Sequence, residues 1–492
     1  MSSDFSEWYE RVYPQLTGHG LWLRGGEPNT LAAEHYGRRP FRVLFARLST
    51  YADTAESFTH GHLYAVARSV AGVFPDLAYL PPPHDRLFFA RDRVPWLLGT
   101  QTQRGPSDFD VIGFSNSIVQ ELINLPSMLK HSGIPLRKSE RMKDAAIPLV
   151  LLGGANALHT SVFWTDDPPM DGVFVGEAEE SIARILTICR DGRKKRESKA
   201  SILKKLESVP GFFQPEGRKK TSRHVAFPEH QKKLPASYPV PWASGKAGEG
   251  HLPISEGCPC FCSFCAESYG RKPYREYPAD RVLERALAMK AAMGLDSIEL
   301  YSFNFNMHSE FYRILWELAP LFPSLGLKSQ RLDFVAHDPA LLDFIHAVGK
   351  ASLTCGIEGI SERLRRCLHK NLPDEVLGPG LKAILKAPIR ELKIFLIATG
   401  LEAEKDFEGL KDLVDFVAVN LRYSARRPRI IFSVTPLVRF PWTPLEFADA
   451  FPAEHMKPIL DRMKGMIRGR GFEFRQAAEL DDNWLAQVLV RA

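Results

Sequence analysis

No stretch of this 492-residue chain approaches the ~18 consecutive apolar residues that a membrane-spanning helix needs. The opening residues, Met1-Ser-Ser-Asp-Phe-Ser-Glu-Trp8, carry neither a basic head nor an apolar core, so no secretory signal and a cytoplasmic location are expected. Cysteine is scarce, with seven in all. Cys189, Cys355 and Cys367 are scattered, and the other four fall within eight positions. That distribution excludes a disulfide scaffold, which would spread its cysteines through a short secreted chain. There is no long repeat and no low-complexity tract. The net charge is only +6, and it is local. From Asp191 to Lys233, thirteen Lys/Arg stand against five Asp/Glu, a net +8, which leaves the remainder at −2. The basic character belongs to one segment, not to a general nucleic-acid-binding surface.

With 45% apolar and 25% charged residues, the composition is that of a globular protein. The length suits two to four domains. After a preface over residues 1–40, strand-like and helix-like patterns alternate. Phe41–Ser49, Asp110–Ser115, Ile147–Gly154 and Gly172–Gly176 read as buried parallel strands, with helices predicted over 62–73, 120–131 and 177–189. Residues 191–250, rich in Lys/Arg and proline, read as an interdomain linker with a helix at 199–208. Alternation then resumes. Strands are predicted at 251–256, 297–303, 330–336, 351–358, 391–398 and 429–435. Helices are predicted at 279–293, 309–319, 339–348, 361–368 and 405–419. The predicted class is α/β: a Rossmann-like parallel sheet over 41–190, a partial (βα)6 barrel over 251–445, and a small C-terminal extension over 446–492 with an amphipathic helix at 453–471.

The chemistry is concentrated in Glu256-Gly-Cys258-Pro-Cys260-Phe-Cys262-Ser-Phe-Cys265, directly after a predicted strand. Cys258, Cys262 and Cys265 are spaced C-x3-C-x2-C. Three thiolates on one short loop can hold three corners of an iron–sulfur cube and leave the fourth iron without a protein ligand. A zinc site prefers four closed ligands in two separated pairs, which this crowding suits poorly.

The spacing, with an aromatic residue before the last cysteine, resembles the radical S-adenosylmethionine (SAM) superfamily. The resemblance implies a [4Fe–4S] cluster on Cys258, Cys262 and Cys265, SAM on the open iron, and an electron donor such as a flavodoxin or ferredoxin. Cys260 departs from the pattern, as a bystander or an alternative ligand. Tyr301-Ser-Phe-Asn-Phe-Asn stands where relatives carry a Gly-Gly-Glu-like motif for the methionine amine. Here Ser302 and Asn304 take that place, without the glycines or the acid. Cys355-Gly-Ile-Glu-Gly-Ile-Ser-Glu-Arg-Leu resembles the family's Glu-x-Gly-Ser-Glu-Arg-Leu stretch, implying a SAM contact from Glu358, with Arg363 and Arg365 either contacts or helix residues.

Residues 41–190 resemble the cobalamin-binding-type (B12-binding) Rossmann domain that precedes the barrel in many of these proteins. Leu23-Arg-Gly-Gly-Glu-Pro-Asn, Ser433-Val-Thr-Pro-Leu and Pro441-Trp-Thr-Pro444 match one group of them. The resemblance implies cobalamin near Ser115, Ser117, Gly153, Gly154, Gly176 and Glu177, at strand ends where small residues let a ligand approach the backbone. The Asp-x-His-x-x-Gly motif for an axial histidine is absent, and His60-Gly-His62 lacks the Asp. The expected reaction is methyl transfer to an unactivated carbon. The alternatives are a radical SAM enzyme without cobalamin acting on tRNA or protein, and a non-catalytic metal-binding interaction protein. The substrate is not legible.

Overall fold

A computed structural model describes residues 4–54, 57–217, 220–226, 235–242, 248–424 and 426–491. They form two compact units that divide between Ala247 and Gly248.

The first unit is built on a six-stranded sheet: β1 (Phe41–Arg47), β2 (Val73–Ala78), β3 (Val111–Ser115), β4 (Leu149–Gly153), β5 (Gly172–Phe174) and β6 (Phe212–Phe213). The order is β2-β1-β3-β4-β5-β6, parallel throughout except that β6 runs antiparallel to β5. Helices cover both faces, which is why β1 and β4 are nearly continuous apolar runs. The strand order reverses between β1 and β3, and the C-terminal edge at such a switch is where open parallel sheets place ligand crevices. β2 escapes the sequence pattern because Pro75 interrupts it. As the edge strand, β2 tolerates a residue with no N–H to donate.

Two expected boundaries are corrected. The 1–40 preface is part of this core: Trp8, Tyr9, Val12, Trp22 and Leu23 are buried in it, and the Trp22 indole donates to Asp85 at 2.8 Å. The expected 191–250 linker is also largely built into the unit. Helix Ser181–Lys194 runs into it, helix Lys199–Leu206 buries Ile202, Leu203 and Leu206, and β6 extends the sheet. His224 bridges to Gly176, and the Trp242 amide donates to the Tyr51 hydroxyl at 2.6 Å. Apolar spacing within the charge run anchors these pieces. The rest of that segment, 218–219, 227–234 and 243–247, lies outside the described residues.

The second unit carries β7 (Glu249–Pro253), the hairpin pair β8 (Ser255–Glu256) and β9 (Arg275–Glu276), then β10 (Ser297–Tyr301), β11 (Ser324–Leu327), β12 (Ser352–Glu358), β13 (Glu391–Ala398), β14 (Arg429–Pro436) and β15 (Glu473–Gln476). Two parallel sheets, β7-β10-β11 and β12-β13-β14-β15, are joined by a bridge between Gln330 and Cys355. The strands therefore follow one another along an open arc of seven. The expected six gain β15 from the C-terminal extension, which is not purely helical.

The expected strand at 330–336 is wrong. The third strand is the short Ser324–Leu327, and Leu332–His337 is a helix. Leu332 and Val335 are buried three residues apart, the spacing of a helix face, and the apolar run hid that period. Helix Asp374–Lys386 went unread because Gly378-Pro-Gly380 resembles a breaker. Gly380 instead admits Leu332, whose carbonyl oxygen would lie 2.9 Å from an added Cβ.

Arg141 and Asp171 form a fully buried ion pair at 2.8 Å, and Arg141 also donates to the carbonyls of Pro135, Leu136 and Pro168. Asp171 in turn accepts the Val150 amide of β4 at 2.7 Å. Removing one partner leaves a buried charge uncompensated. Arg141→Ala is therefore expected to destabilise the first unit by about 3–5 kcal/mol, read by urea denaturation.

Candidate functional site

The cysteine loop follows β8 at the C-terminal end of the arc's first strand, where parallel barrels gather their functional groups. It opens on Gly257 at φ +76°, where an added Cβ would stand 2.2 Å from the Arg271 carbonyl oxygen. The loop is held from outside. Ser263 donates its amide to Leu368 O (2.9 Å) and its hydroxyl to Cys367 O (3.0 Å). Tyr269 donates to Phe261 O, and Lys272 donates to the carbonyls of Cys258 and Cys260 while its ammonium sits 3.8 Å over the Phe261 ring. Cys265 precedes helix Ala266–Gly270, and its amide donates to Cys262 O at 3.1 Å.

Cys258 and Cys262 are buried, each 7% exposed. Burial pushes the Cys262 and Cys265 thiols up, so a metal must displace their protons to bind. Cys260 behaves differently. Arg331 donates to its Sγ at 2.8 Å, and the hydrogen bond from Cys258, with Arg331 beside it, brings the thiol down to about 7. That same Cys258–Cys260 hydrogen bond, together with burial, pushes Cys258 up. Arg331 is itself locked: Asp333 accepts its Nε at 2.9 Å and its second terminal nitrogen at 2.6 Å, and Asn306 exchanges two hydrogen bonds with its backbone.

The cysteine sulfurs are not gathered around one point as a single ion requires. Sulfurs around one tetrahedral zinc sit roughly 3.8 Å apart, from ~2.3 Å bonds. Among the described residues, the three metal-ligating side chains whose donor atoms lie within 4.8 Å of one another are Glu249, His251 and Glu299; no trio of these cysteines does so. Three corners of a cubane hold their thiolates farther apart.

Around the loop, Glu358 ends β12 in the left-handed region (φ +70°) and accepts from Lys370 at 3.3 Å. Burial opposes the Lys370 charge, yet Glu358 and the Cys262 sulfur hold its pKa above the ordinary value. Ser302 follows β10, buried, with no hydrogen-bond partner for its hydroxyl. Asn304 is half-buried at the turn after it. Gln330, 2% exposed at the end of the third strand, has no partner for either amide atom. Arg365 is structural: it is buried, clamping the carbonyls of Gly359 and Leu372. Arg363 pairs with Asp406. Phe305 is core, 1% exposed, whereas Trp442 is exposed. Arg331 and Lys370 escaped the sequence reading because no spacing marks them; only the fold brings them to the cysteines.

In the first unit, Ser115 ends β3, buried, with its hydroxyl unpartnered. It lines a mostly apolar cavity of about 590 Å³, counting its open mouth, with Gly113, Gly153, Gly154, Ala178 and Ile182. A Cβ at Gly153 would make only ordinary contact, 3.8 Å from the Phe174 carbonyl oxygen. Gly154 (φ +104°) and Gly176 (φ +120°) instead make room for the chain's own backbone at Asn116 and His224. Ser117 donates its amide to Glu121 at 2.9 Å, and Glu177 accepts the Ala226 amide at 2.6 Å.

A parallel arc with a C-x3-C-x2-C loop after its first strand defines the class, and the chain belongs to the radical SAM superfamily of enzymes. Residues 252–421 match the family described as the radical SAM superfamily, and residues 60–215 match the one described as radical SAM proteins, N-terminal. Membership carries a [4Fe–4S] cluster and SAM as cofactors. The tRNA-2-methylthio-N(6)-dimethylallyladenosine synthase of Wolbachia pipientis wMel is 28% identical over 273 residues, 51% of this chain and 57% of that protein. The cytidylyl-2-hydroxyethylphosphonate methyltransferase of Streptomyces wedmorensis is 24% identical over 303 residues, 54% of this chain and 56% of that one. The chain thus spans little more than half the length of these relatives.

Two solved structures share the fold. One is the radical SAM methyltransferase TsrM from Kitasatospora setae, with cobalamin and a [4Fe–4S] cluster bound (TM-score 0.54, 16% identity, 82% of this chain and 76% of that one). The other is the cobalamin-dependent radical enzyme OxsB with aqua-cobalamin bound (TM-score 0.53, 15% identity, 78% and 53%). Among the described residues, no helix is long and apolar enough to cross a membrane.

Gly257→Ala drives a Cβ into the Arg271 carbonyl at a left-handed position. It is expected to cut iron incorporation on anaerobic reconstitution at least several-fold, measured as iron per chain and absorbance near 400 nm, while far-UV circular dichroism stays unchanged.

Proposed function

We propose that this chain is a cobalamin-dependent radical SAM enzyme that methylates an unactivated carbon. The observation that carries the reading is the pairing of a clamped three-cysteine loop in one unit with an apolar cavity in the other, which reaches the ends of β3 and β4 at Ser115 and Gly153. When bound, the cluster and SAM supply a 5′-deoxyadenosyl radical and cobalamin supplies a transferable methyl group.

Each remaining task falls to a named residue. Cys258, Cys262 and Cys265 hold the cluster, and Arg331 gives the Cys260 sulfur a partner of its own. The Lys370–Glu358 pair places a cation beside Cys262, where it offsets thiolate charge. Ser302 and Gln330 offer buried polar atoms with unfilled hydrogen-bonding capacity, as the polar edges of SAM require. In the first unit, Ser115 and the unobstructed edge at Gly153 accept part of a corrinoid's tail. An external one-electron donor such as a flavodoxin or ferredoxin completes the cycle.

Similarity to tRNA-modifying relatives favours RNA as an alternative substrate class. The basic segment adds little to that alternative, because Arg193, Lys205 and Arg223 pair with Asp110, Glu197 and Glu177.

Cys258→Ala, Cys262→Ala and Cys265→Ala are each expected to abolish reductive SAM cleavage, measured as 5′-deoxyadenosine, with Cys260→Ala keeping much of it. Full cleavage in any of the first three would overturn the ligand set. Gly153→Leu fills the first unit's cavity and is expected to weaken corrinoid binding at least tenfold by absorbance titration, with SAM cleavage retained. Unchanged corrinoid affinity, or none in the parent protein, refutes the cobalamin reading alone.

A further inference from the structure

The barrel's interior holds a second group of metal-ligating side chains, separate from the cysteines. Glu249 and His251 stand two residues apart on β7, and Glu299 lies directly opposite His251 on β10. Strand alternation fixes where they point. Gly250, between them, faces the outer helix Ala279–Met293 and the turn after it: an added Cβ there would strike Leu295 at 2.3 Å and Met289 at 3.1 Å. Glu249 and His251 therefore face the opposite way, into the lumen, and so does Glu299 as the register partner of His251. On the other side of Glu299, its partner Gly326 leaves room for the glutamate: an added Cβ would be 2.9 Å from Glu299 Cγ.

One donor atom from each of the three lies within 4.8 Å of the others. His251 Nε2 is 3.2 Å from Glu299 Oε2 and 4.0 Å from Glu249 Oε1. The side chains are 12–21% exposed, so their charges are poorly screened by water. The other oxygen of Glu299 accepts from the Lys328 ammonium at 2.7 Å.

We propose that Glu249, His251 and Glu299 bind one divalent first-row cation of the Mn²⁺, Fe²⁺ or Zn²⁺ type inside the barrel. A mixed set of carboxylate oxygens and one imidazole nitrogen suits these ions. Three protein donors leave coordination positions open for water or for oxygen atoms of a substrate in the lumen. Lys328 is the site's competitor, because it neutralises Glu299 when no metal is present.

The test is Mn²⁺ binding, followed by loss of the free aquo-ion electron paramagnetic resonance signal. It is run on the cluster-loaded protein and on the Cys258→Ala/Cys262→Ala/Cys265→Ala variant. One saturable equivalent is expected in both, weakened at least tenfold by His251→Gln and by Glu299→Gln. Lys328→Gln removes the competing ammonium and is expected to tighten binding several-fold, a gain that misfolding does not produce. Should either ligand variant fail to fold by its melting curve in EDTA, Glu249→Gln and Lys328→Gln decide. The proposal is overturned by the absence of a saturable equivalent below millimolar Mn²⁺, by binding indifferent to these substitutions, or by binding that disappears with the cysteines.

Discussion

A loop with four cysteines in eight residues can present a three-thiolate cluster site only if one sulfur is kept out. Here the side chain that singles out one of the four is Arg331. Its guanidinium meets Cys260 Sγ at 2.8 Å, and it is held in place by Asp333 on one side and by Asn306 across its backbone. A charge-assisted contact to sulfur, fixed by a second charge pair, is stronger and more directional than a neutral one. Asn306 comes from the turn after β10 and Arg331 from the turn after β11, so the turns that follow two successive strands cooperate to fix the guanidinium against Cys260.

The same logic orders the rest of the barrel mouth. Parallel strands deliver their turns to one end, so residues remote in sequence converge there without any motif to announce them. Lys370 follows helix Glu362–Cys367, yet its charge bears on Cys262. Leu368 and Cys367 give their carbonyls to Ser263. The cluster loop is therefore fastened to the segment that follows the fourth strand of the arc.

How much of this the sequence disclosed follows from the kind of signal each feature leaves. The cysteine spacing, the alternating strands β12 and β13 and the continuously buried β14 are local patterns, and they were legible almost to the residue. β2 was hidden by Pro75, whose missing N–H matters only in an interior strand. The helix Leu332–His337 was read as a strand because four of its six residues are apolar or aromatic, and only its buried pair, Leu332 and Val335, reveals the helical period. In the supposed linker the helix at 199–208 was legible, but the charge run hid that its stripe of Ile202, Leu203 and Leu206 packs into the first unit. Gly154 and Gly176 read as ligand-approach positions, but glycine marks close approach of any backbone, and here the approaching backbone is the chain's own.

Glu358 shows how sequence and strain meet at the site. A non-glycine residue with φ near +70° at a strand end costs on the order of 1–3 kcal/mol and persists only when its surroundings impose it. The register between β12 and β13 slips between Gly356 and Glu358, which turns the carboxylate back over Gly356. Only glycine permits that: a Cβ at position 356 would lie 2.0 Å from Glu358 Oε1 and 3.4 Å from Lys370 Nζ. The Gly-Ile-Glu triplet is therefore one device. The glycine clears the space, the bulge turns the chain, and the glutamate reaches the lysine that stands beside the cluster loop. A larger residue at 356 would remove the Lys370 counter-ion without touching any cysteine, so the electrostatics of the thiolates depend on a position with no side chain of its own.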